Sequence, residues 1–326
     1  MNNPLDRSET MVALKRALPY IRLYKGKTFV VKTGGALCAE PQAMKELAHA
    51  VGVLREFGIR VVLVHGGGPQ TSTMSRVMGL EPTFVEGRRV TCEKTLDIAV
   101  MTMNGTVNTA MLAACRATNL PAVGLSGLDG GLIRARRRPA RVKVAGDVRT
   151  TIDYGHVGDI VAVDATVLES LLDAGFVPVV SPLSADDEGN VLNINADTVA
   201  ATIARELCAE KLVFLSDSNG ILEDRNDPSS LISYTDVRGL NLLVERGIVD
   251  AGMLPKVNAA KEALYGGVKR VHVIGGGSDS LLVEVFTNEG AGTLIVMDAR
   301  DLTPAEQGHV KDARLDALMN SGEAGA

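Results

Sequence analysis

Short runs of apolar residues alternate with longer amphipathic stretches along most of this 326-residue chain. Runs rich in Val, Ile and Leu predict strands, and apolar residues at i, i+3 and i+4 predict helices. The predicted strands lie at 28–32, 60–64, 122–125, 160–163, 177–181, 211–215, 270–274 and 294–296, and the predicted helices at about 41–57, 69–78, 91–118, 165–174, 196–208 and 256–266. This alternation indicates an α/β fold, a three-layer α/β/α sandwich around a mainly parallel open sheet.

An additional helix is predicted before the first strand, over residues 9–24. Leu14, Leu18 and Ile21 recur there at helical spacing and give the helix an apolar stripe. Pro19 lies inside it, and because an interior proline costs about 3 kcal/mol in a straight helix, we expect a kink or break. The stripe fits either a helix that packs on its own domain or an arm that packs on another subunit.

Two polar stretches interrupt the alternation. Residues 131–158 are rich in arginine and predict β-hairpins inserted at the edge of the sheet, with their charge facing solvent. Residues 184–189 are polar and turn-rich, which places a boundary near them. The predicted organisation is a kinked N-terminal helix (1–27), an N-terminal lobe (28–185), a C-terminal lobe (186–300) and a polar tail (301–326).

Composition narrows the class of protein. Hydrophobic residues make up 46% of the chain, which is ample for a core. The net charge of −5, the 3% of aromatic residues and the lack of Trp argue against a nucleic-acid binder. The four cysteines are far apart, as expected for reduced thiols in a cytosolic protein without a zinc site. With no signal peptide and no apolar run approaching a membrane span, we expect a cytoplasmic protein.

Glycine clusters follow three of the predicted strands. They are Lys32-Thr33-Gly34-Gly35, His65-Gly66-Gly67-Gly68 and Gly275-Gly276-Gly277. Glycines at the end of a buried strand let backbone N–H groups approach an anion closely, because no Cβ stands in the way. The first cluster also carries a lysine, so the pattern is typical of a site that handles a phosphoryl group.

Other well-known glycine-rich motifs match these turns poorly. The chain has no Walker G-x-x-x-x-G-K-[ST] motif, and the cluster at Gly275 lacks the last glycine of a dinucleotide-binding fingerprint. The turn after His65 is similar to the oxyanion-hole motif of lipases. That interpretation needs a G-x-S-x-G elbow, and the nearest match, around Ser126, ends in Leu128. A hydrolase is therefore disfavoured.

Further charged residues are predicted near the glycine turns. Lys256 begins a predicted helix, where a cation is unfavourable unless an anion is bound. Asp197 opens another helix, and Ser216-Asp217 follows a strand. Each feature alone has an ordinary structural explanation, such as helix capping. The two lysines, the acidic residue and the glycine turns together indicate a phosphate site.

The motifs as a set resemble those of the amino acid kinase superfamily, and within it most closely the acetylglutamate kinases of arginine biosynthesis. The resemblance runs from about residue 10 to 297. Its motifs are Val31-Lys32-Thr33-Gly34-Gly35, His65-Gly66-Gly67-Gly68-Pro69-Gln70, Gly87-Arg88-Arg89-Val90-Thr91, Gly124-Leu125-Ser126-Gly127-Leu128-Asp129-Gly130, Asn193-Ile194-Asn195-Ala196-Asp197, Met253-Leu254-Pro255-Lys256 and Phe286-Thr287-Asn288-Glu289-Gly290-Ala291-Gly292-Thr293.

The resemblance implies an ATP-dependent kinase that acts on the side-chain carboxylate of N-acetyl-L-glutamate, with Mg²⁺ bound to the nucleotide. The N-terminal lobe would bind the acetylated substrate and form the dimer, and the C-terminal lobe would bind ATP. The implied roles are catalysis for Lys32, Lys256 and Asp197; substrate binding for Gly67, Gly68, Arg89 and Asn193; and nucleotide binding for Gly34, Gly35, Ser216 and Asp217. A carboxylate acceptor with an ordinary pKa of about 4.3 is already ionised, so no general base is needed.

The resemblance also implies regulation and leaves alternatives open. Arginine-inhibited relatives carry an N-terminal helix that interlaces dimers into a hexamer, and Tyr20, Glu289 and Gly292 match their arginine-site region. The chain departs from the family pattern at Thr33, at Gly105-Thr106 and at the third glycine cluster. A kinase for N-acetyl-aminoadipate or N-succinylglutamate remains an alternative, because one methylene of a substrate contributes only about 1–3 kcal/mol to discrimination. A non-catalytic arginine-sensing module is a second alternative.

Overall fold

A computed structural model describes residues 7–85, 87–145, 148–249, 252–276, 279–287 and 290–301. The helices in these ranges are α1 (Arg7–Tyr24), α2 (Pro41–Glu56), α3 (Gly68–Val77), α4 (Glu93–Val100), α5 (Asn108–Ala117), α6 (Thr166–Asp173), α7 (Ala196–Glu206), α8 (Val237–Glu245), α9 (Leu254–Tyr265) and α10 (Ser280–Phe286).

The strands fall into one large sheet and several small ones. They are β1 (Thr28–Thr33), β2 (Arg60–His65), β3 (Phe84–Val85), β4 (Arg88–Arg89), β5 (Ala122–Ser126), β6 (Ile133–Arg137), β7 (Arg141–Ala145), β8 (Val148–Ile152), β9 (Gly158–Val163), β10 (Val177–Ser181), β11 (Leu183–Ala185), β12 (Val191–Asn193), β13 (Lys211–Ser216), β14 (Ile221–Leu222), β15 (Leu231–Ile232), β16 (Tyr234–Asp236), β17 (Arg270–Gly275) and β18 (Gly292–Val296).

The large sheet has eight strands in the order β16-β18-β17-β13-β1-β2-β10-β5. The six from β17 to β5 are parallel, whereas β18 runs antiparallel to β17 and β16 runs parallel to β18. The prediction of a mainly parallel sheet flanked by helices is confirmed. Ligands of such sheets bind beyond the carboxyl ends of the strands, at the point where the strand order in the sheet reverses.

Both faces of this sheet are covered. Val30 and Phe214 project into a cluster with α7, α8 and α9, and the neighbouring Val31 and Leu215 project into a second cluster with α2, α5 and α10. Because side chains of a strand alternate between faces, strands buried on both faces read as continuous apolar runs. This explains why the central strands were readable from the sequence.

The segment at 91–118, predicted as one long helix, contains a π-helical stretch. Helices α4 and α5 are joined by π-helical residues Met101–Val107, which include Gly105. Glu93–Ala117 is long and apolar enough to cross a membrane by length and composition alone, a test that core helices also pass, and half of its apolar window is buried in the fold. The π-helical stretch interrupts the regular pitch of the helix, and such interruptions are common near functional sites.

The arginine-rich segment forms antiparallel pairs, as predicted, but they are not part of the large sheet. Strands β7 and β8 form a separate two-stranded sheet, and β6 pairs with β9 and β11 in a four-stranded sheet of order β12-β11-β6-β9. The polar loop at 184–189 lies largely in the turn between β11 and β12. The tail from 302 onward lies outside the described residues.

Candidate active site

Three buried charged side chains meet at the carboxyl end of the large sheet. Lys32 Nζ lies 2.8 Å from Asp197 Oδ1, and Lys256 Nζ lies 3.3 Å from the same oxygen. Each of the three residues is at most 8% exposed. The sequence separates them by more than 220 residues, from position 32 to position 256, and the fold brings them into one cluster that carries a net positive charge.

Each member of this cluster is held by a regular element. Lys32 lies near the end of β1, which pairs with β2 on one side and β13 on the other. Asp197 lies in the first turn of α7, where the Asn195 side chain caps the helix by accepting from the N–H groups of residues 197 and 198. Lys256 lies in the first turn of α9, and its ammonium lies 5.0 Å from the Phe214 ring centroid. The cluster is therefore rigidly positioned.

The charges in the cluster are strongly coupled. Burial, and after it the nearby Lys32, lower the pKa of Lys256 to about 8, although Asp197 opposes both effects. Burial alone would raise the pKa of Asp197, but the two lysines outweigh it and hold that pKa below its ordinary value. A polyanion arriving here would relieve the repulsion between the two ammonium groups.

The first two glycine turns lie against each other beside this cluster. A Cβ built on Gly35 would lie 2.4 Å from Pro69 Cδ, and Gln70 Nε2 donates to the Gly35 carbonyl at 2.6 Å. A Cβ on Gly67 would lie 2.8 Å from Met103 Cγ, in the π-helical stretch. The turns thus need glycine because their backbones are packed against neighbouring elements. The backbone N–H groups at the start of α3 face the same edge of the sheet.

His65, the last residue of β2, directly precedes the second glycine turn and is fully buried. Its Nδ1–H donates to the Gly66 carbonyl at 2.8 Å, so Nε2 carries the lone pair that accepts from Asn108 Nδ2 at 3.0 Å. Asn108 Nδ2 also donates to the Val179 carbonyl at 3.0 Å. Burial lowers the pKa of His65 to about 4, despite its hydrogen bond to Gly66. The ring is therefore neutral at physiological pH.

Acid is expected to destabilise the protein through His65. The unfolded chain binds a proton on this ring below about pH 6.5, whereas the folded chain binds it only near pH 4, so the free energy of unfolding falls as pH drops between these values. The expected loss is about 3 kcal/mol. Urea unfolding at several pH values measures it. His65→Gln should flatten the slope, and replacing the exposed His49 by Gln should not; equal slopes in both variants would contradict the assignment.

The guanidinium of Arg89 lies near the start of α3, and only one of its two terminal nitrogens is hydrogen-bonded in the described part of the chain. Its Nη2 donates to the Gly68 carbonyl at 2.8 Å and to Ser72 Oγ at 2.6 Å, and its carbon Cζ lies 4.8 Å from the Phe84 ring centroid. Its Nη1 is buried and makes no hydrogen bond within the described part of the chain. Burial lowers the pKa of Arg89, and so does Arg76. A buried donor without a partner is costly, so this atom indicates the position of an anionic ligand group.

Asn193 joins the same surface through Thr91. Its Nδ2 donates to Thr91 Oγ1 at 3.3 Å, and Thr91 lies two residues after Arg89. Gly155 packs on Thr91, where a Cβ would lie 2.3 Å from the carbonyl oxygen. Asn193 ends β12, four residues before Asp197. The structure therefore joins Arg89 to Gly68 by a hydrogen bond and joins Asn193 to Thr91, two residues after Arg89 in the chain.

A cavity of about 260 Å³ lies on the other side of β1. It is lined by residues of the first glycine turn and of the ends of β13 and β17, among them Gly34, Ser216, Asp217 and Gly276. The Gly276 N–H donates to the Ser216 carbonyl at 3.1 Å, which fixes the third glycine turn beside the polar turn after β13. Asp217 acts electrostatically on Lys256. The sequence alone gives this third turn only the role of a nearby loop, and the parallel pairing of β13 and β17 is what brings Gly276 to this cavity.

The residues named for an arginine site are only partly described. Tyr20 of α1 and Ala291 pack on the same hydrophobic cluster as α10, and Gly292 begins β18. Glu289 lies outside the described residues. The sequence did not single out Glu284, whose Oε2 accepts from the Ala291 N–H at 2.5 Å and whose Oε1 accepts from His272.

Glu284 is ionised within this buried pair. Burial opposes ionisation, but His272 and the Ala291 N–H outweigh it and lower the pKa of Glu284 to about 2. Burial and the neighbouring Lys211 lower the pKa of His272, so its ring is neutral and donates through Nδ1. His272 lies among apolar residues of β17, and nothing in the sequence around it indicated this contact.

The geometry suits transfer of an anionic group between two anions. Two ammonium groups lie beside two glycine turns at one edge of the sheet, a buried nitrogen of Arg89 has no partner in the described part of the chain, and a cavity opens beside the first turn. Positioning and charge neutralisation are what phosphoryl transfer requires.

Comparison with known proteins bears on which reaction this is. The model of the amino acid kinase family matches residues 27–275. The acetylglutamate kinase of Symbiobacterium thermophilum is 45% identical over 284 residues, which cover 87% of this chain and 96% of that protein. The acetylglutamate kinase of Myxococcus xanthus is 45% identical over 289 residues, which cover 88% of this chain and 94% of that protein.

Solved structures are similar as well. An N-acetylglutamate synthase from Neisseria gonorrhoeae, complexed with coenzyme A and N-acetyl-glutamate, matches 89% of this chain with a TM-score of 0.76 and 31% identity. This chain spans 64% of the length of that synthase. Carbamate kinase from Giardia lamblia, bound to AMP-PNP, has a TM-score of 0.58 at 18% identity over 84% of this chain, which shows a shared fold.

Proposed function

We infer the reaction from the premise that this chain belongs to the amino acid kinase family and matches its acetylglutamate kinases over nearly their whole length. The chain phosphorylates the side-chain carboxylate of N-acetyl-L-glutamate with ATP and forms N-acetyl-L-glutamyl 5-phosphate and ADP. The observation that carries this function is the pair of buried lysines on one oxygen of Asp197, beside two glycine turns.

The lysines reduce the repulsion between two anions. The acceptor carboxylate is already ionised, so one of its oxygens attacks the γ-phosphorus directly while the bond to the bridging oxygen of ADP breaks. No proton needs to move. We propose that Lys32 and Lys256 neutralise the charge on the transferring phosphoryl group, and that Asp197 keeps the two ammonium groups at a fixed separation.

We propose that the acceptor lies between Arg89 and the second glycine turn. The buried Nη1 of Arg89 pairs with the α-carboxylate, and Asn193 and the backbone at Gly67 and Gly68 bind the rest of the molecule. The support is that Arg89 Nη1 makes no hydrogen bond within the described chain, while Nη2 is fixed by Gly68 and Ser72. A planar guanidinium pairs well with a carboxylate in such a site.

We propose that ATP lies on the side of the cavity lined by Gly34, Ser216 and Asp217, with Gly35 at its phosphates. Residues 28–185 then supply most of the acceptor site and residues 186–300 most of the nucleotide site. A nucleotide-bound Mg²⁺ would supply further positive charge there, and Asp217, which lines this cavity, is a carboxylate that would be available to it.

A trapping assay tests the function. The full chain is incubated with MgATP, hydroxylamine and N-acetyl-L-glutamate, and hydroxamate and ADP are measured. We expect both products in equal amounts. The same assay with N-acetyl-aminoadipate and with N-succinylglutamate should give less product at equal concentration. Absence of hydroxamate from N-acetyl-L-glutamate would overturn the proposed reaction.

Replacement of Arg89 by Gln is expected to raise KM for N-acetyl-L-glutamate by about tenfold to a hundredfold, because a charged hydrogen bond is worth about 1.5–3 kcal/mol. The kcat value should change little, since the α-carboxylate does not react. Arg89→Lys should give an intermediate KM, because an ammonium cannot form the paired contact. The exposed Arg116 is the matched control, as Arg116→Gln. An unchanged KM in Arg89→Gln would exclude the assignment.

We propose that the protein is a hexamer, a trimer of dimers, inhibited by arginine through the region of Tyr20, Glu289 and Gly292. The support is that α1 packs against α10 next to the start of β18, so an effector there would contact both. Light scattering should give the mass of six chains, and arginine should reduce the assay rate. A dimer whose rate is unaffected by arginine would rule this out.

A further inference from the structure

The two arginines of β4 point in opposite directions. Side chains of consecutive strand residues project to opposite faces, and β4 consists only of Arg88 and Arg89. Arg89 lies on the Gly68 side, whereas Arg88 lies on the side of helix α9, which also carries Lys256. The hairpin β3–β4 thus faces the acceptor site with one arginine and the phosphoryl-transfer helix with the other.

A cavity of about 280 Å³ separates Arg88 from α9. The hairpin contributes Arg88, α7 contributes Thr198, and α9 contributes Pro255, Asn258, Glu262 and Tyr265. Thr198 follows Asp197, and Pro255 precedes Lys256, so the cavity is lined by the first turns of the two helices that carry these members of the charged cluster. Glu262 is the carboxylate in this lining, next to Lys261, and it acts electrostatically on the Arg88 guanidinium.

The side chain of Arg88 makes no hydrogen bond or ion pair within the described ranges, although the residue is partly buried. Burial lowers its pKa and the neighbouring Arg138 lowers it further, while Tyr154, Asp159 and Glu262 act in the opposite direction. Asp159 already accepts two hydrogen bonds from Arg138, at 2.9 and 2.5 Å. Both of these hydrogen bonds hold Asp159 in its pair with Arg138, whereas Glu262 is the carboxylate that lines the cavity together with Arg88.

The reaction requires a fixed separation between the hairpin and α9. One acceptor molecule must contact Arg89 through its α-carboxylate and receive the phosphoryl group near Lys256 through its side chain. A misplacement of about 1 Å between such groups can reduce the rate a hundredfold. A contact that spans the cavity would set this separation and would also remove water from the cavity.

We propose that Arg88 and Glu262 pair across this cavity when substrates bind, and that the pair positions Arg89 relative to Lys256. Both are positioning residues, since neither contacts the reacting groups. This inference rests on the proposed function. It adds that closure of the β3–β4 hairpin onto α9 is carried by one ion pair.

A charge-swap cycle tests the pair. Arg88→Glu, Glu262→Arg and the double variant are compared with the parent in the hydroxamate assay, together with their melting temperatures. Each single variant should raise KM for N-acetyl-L-glutamate by about fivefold to thirtyfold, in line with coupling energies of contacting residues. The double variant should recover most of the loss. The KM increase should shrink at high salt, because a partly exposed pair is screened.

The control is the exposed Arg136 of β6, replaced by Glu, which changes the net charge equally and should leave KM unaltered. Should a charge-reversed single variant not fold, the set Arg88→Gln, Glu262→Gln and both together is used, and the double variant should then be no worse than either single one. Unchanged single variants, or a double variant whose loss is the sum of both, would overturn the pair. Inactivity of the parent chain would instead overturn the function.

Discussion

Replacement of Lys32 by Met is expected to lower kcat by about a thousandfold while the protein stays folded. Lys32 is at the end of the central strand, with its Nζ 2.8 Å from Asp197 Oδ1 and its residue 8% exposed. Loss of a single preorganised donor to a developing oxyanion already costs about a hundredfold to a thousandfold in kcat. A buried ammonium near a transferring phosphoryl group lies at the upper end of that range, because little water remains to screen it.

The loss should appear in kcat more than in KM for N-acetyl-L-glutamate, since the charge acts mainly in the transition state. Steady-state rates at saturating MgATP measure it. Lys27, exposed just before the amino end of the same strand, is the matched control, as Lys27→Met. A fall of less than tenfold in the Lys32 variant would mean that this lysine does not contact the transferring group.

Replacement of Asp197 by Asn is expected to reduce both stability and activity. The change leaves two buried ammonium groups without a counterion, and removal of one partner from a buried ion pair typically costs about 3–5 kcal/mol. Urea unfolding near pH 7.5 measures this loss. The exposed ion pair of Asp173 with Arg60, at 2.7 Å, is the control, because Asp173→Asn should cost at most about 1 kcal/mol.

The activity of the Asp197→Asn variant should also decline at a lower pH than that of the parent protein. The pKa of Lys256 is already lowered to about 8 by burial and Lys32, and Asp197 is the group that keeps it from falling lower. Without this carboxylate the ammonium loses its proton at a lower pH, so the rate should decline at a lower pH than in the parent. A variant with parental stability and an unshifted rate profile would show that Asp197 does not organise the lysines.

Much of the phosphoryl end of the site could be predicted from the sequence. Lys32 follows a run of apolar residues and precedes two glycines, and both signals are local. Asp197 and Lys256 lie in first helical turns, where their neighbours mark the helix start. Since strands of a parallel sheet end at one edge, local signals were enough to bring these residues together.

Other features depend on contacts between distant segments and gave no local signal. The hydrogen bond from Asn108 to His65 spans 43 residues and depends on where the π-helical stretch leaves Asn108. The antiparallel insertion of β18 follows from pairing with β17 and not from its own pattern. Likewise, Arg88 lay inside a recognised motif, but only the packing of the hairpin near α9 shows which side it faces.

The two ends of the site differ in how firmly their backbones are paired. Lys32 belongs to β1, every residue of which is paired on at least one side within an eight-stranded sheet, whereas Arg89 belongs to a two-residue strand in a two-stranded sheet. Amide hydrogens around Lys32 should therefore exchange with solvent only when the whole molecule unfolds, and those around Arg89 through brief local openings. If Arg89 and Lys32 have the roles proposed above, we expect the acceptor to enter and leave at the hairpin without disturbing the backbone that holds Lys32.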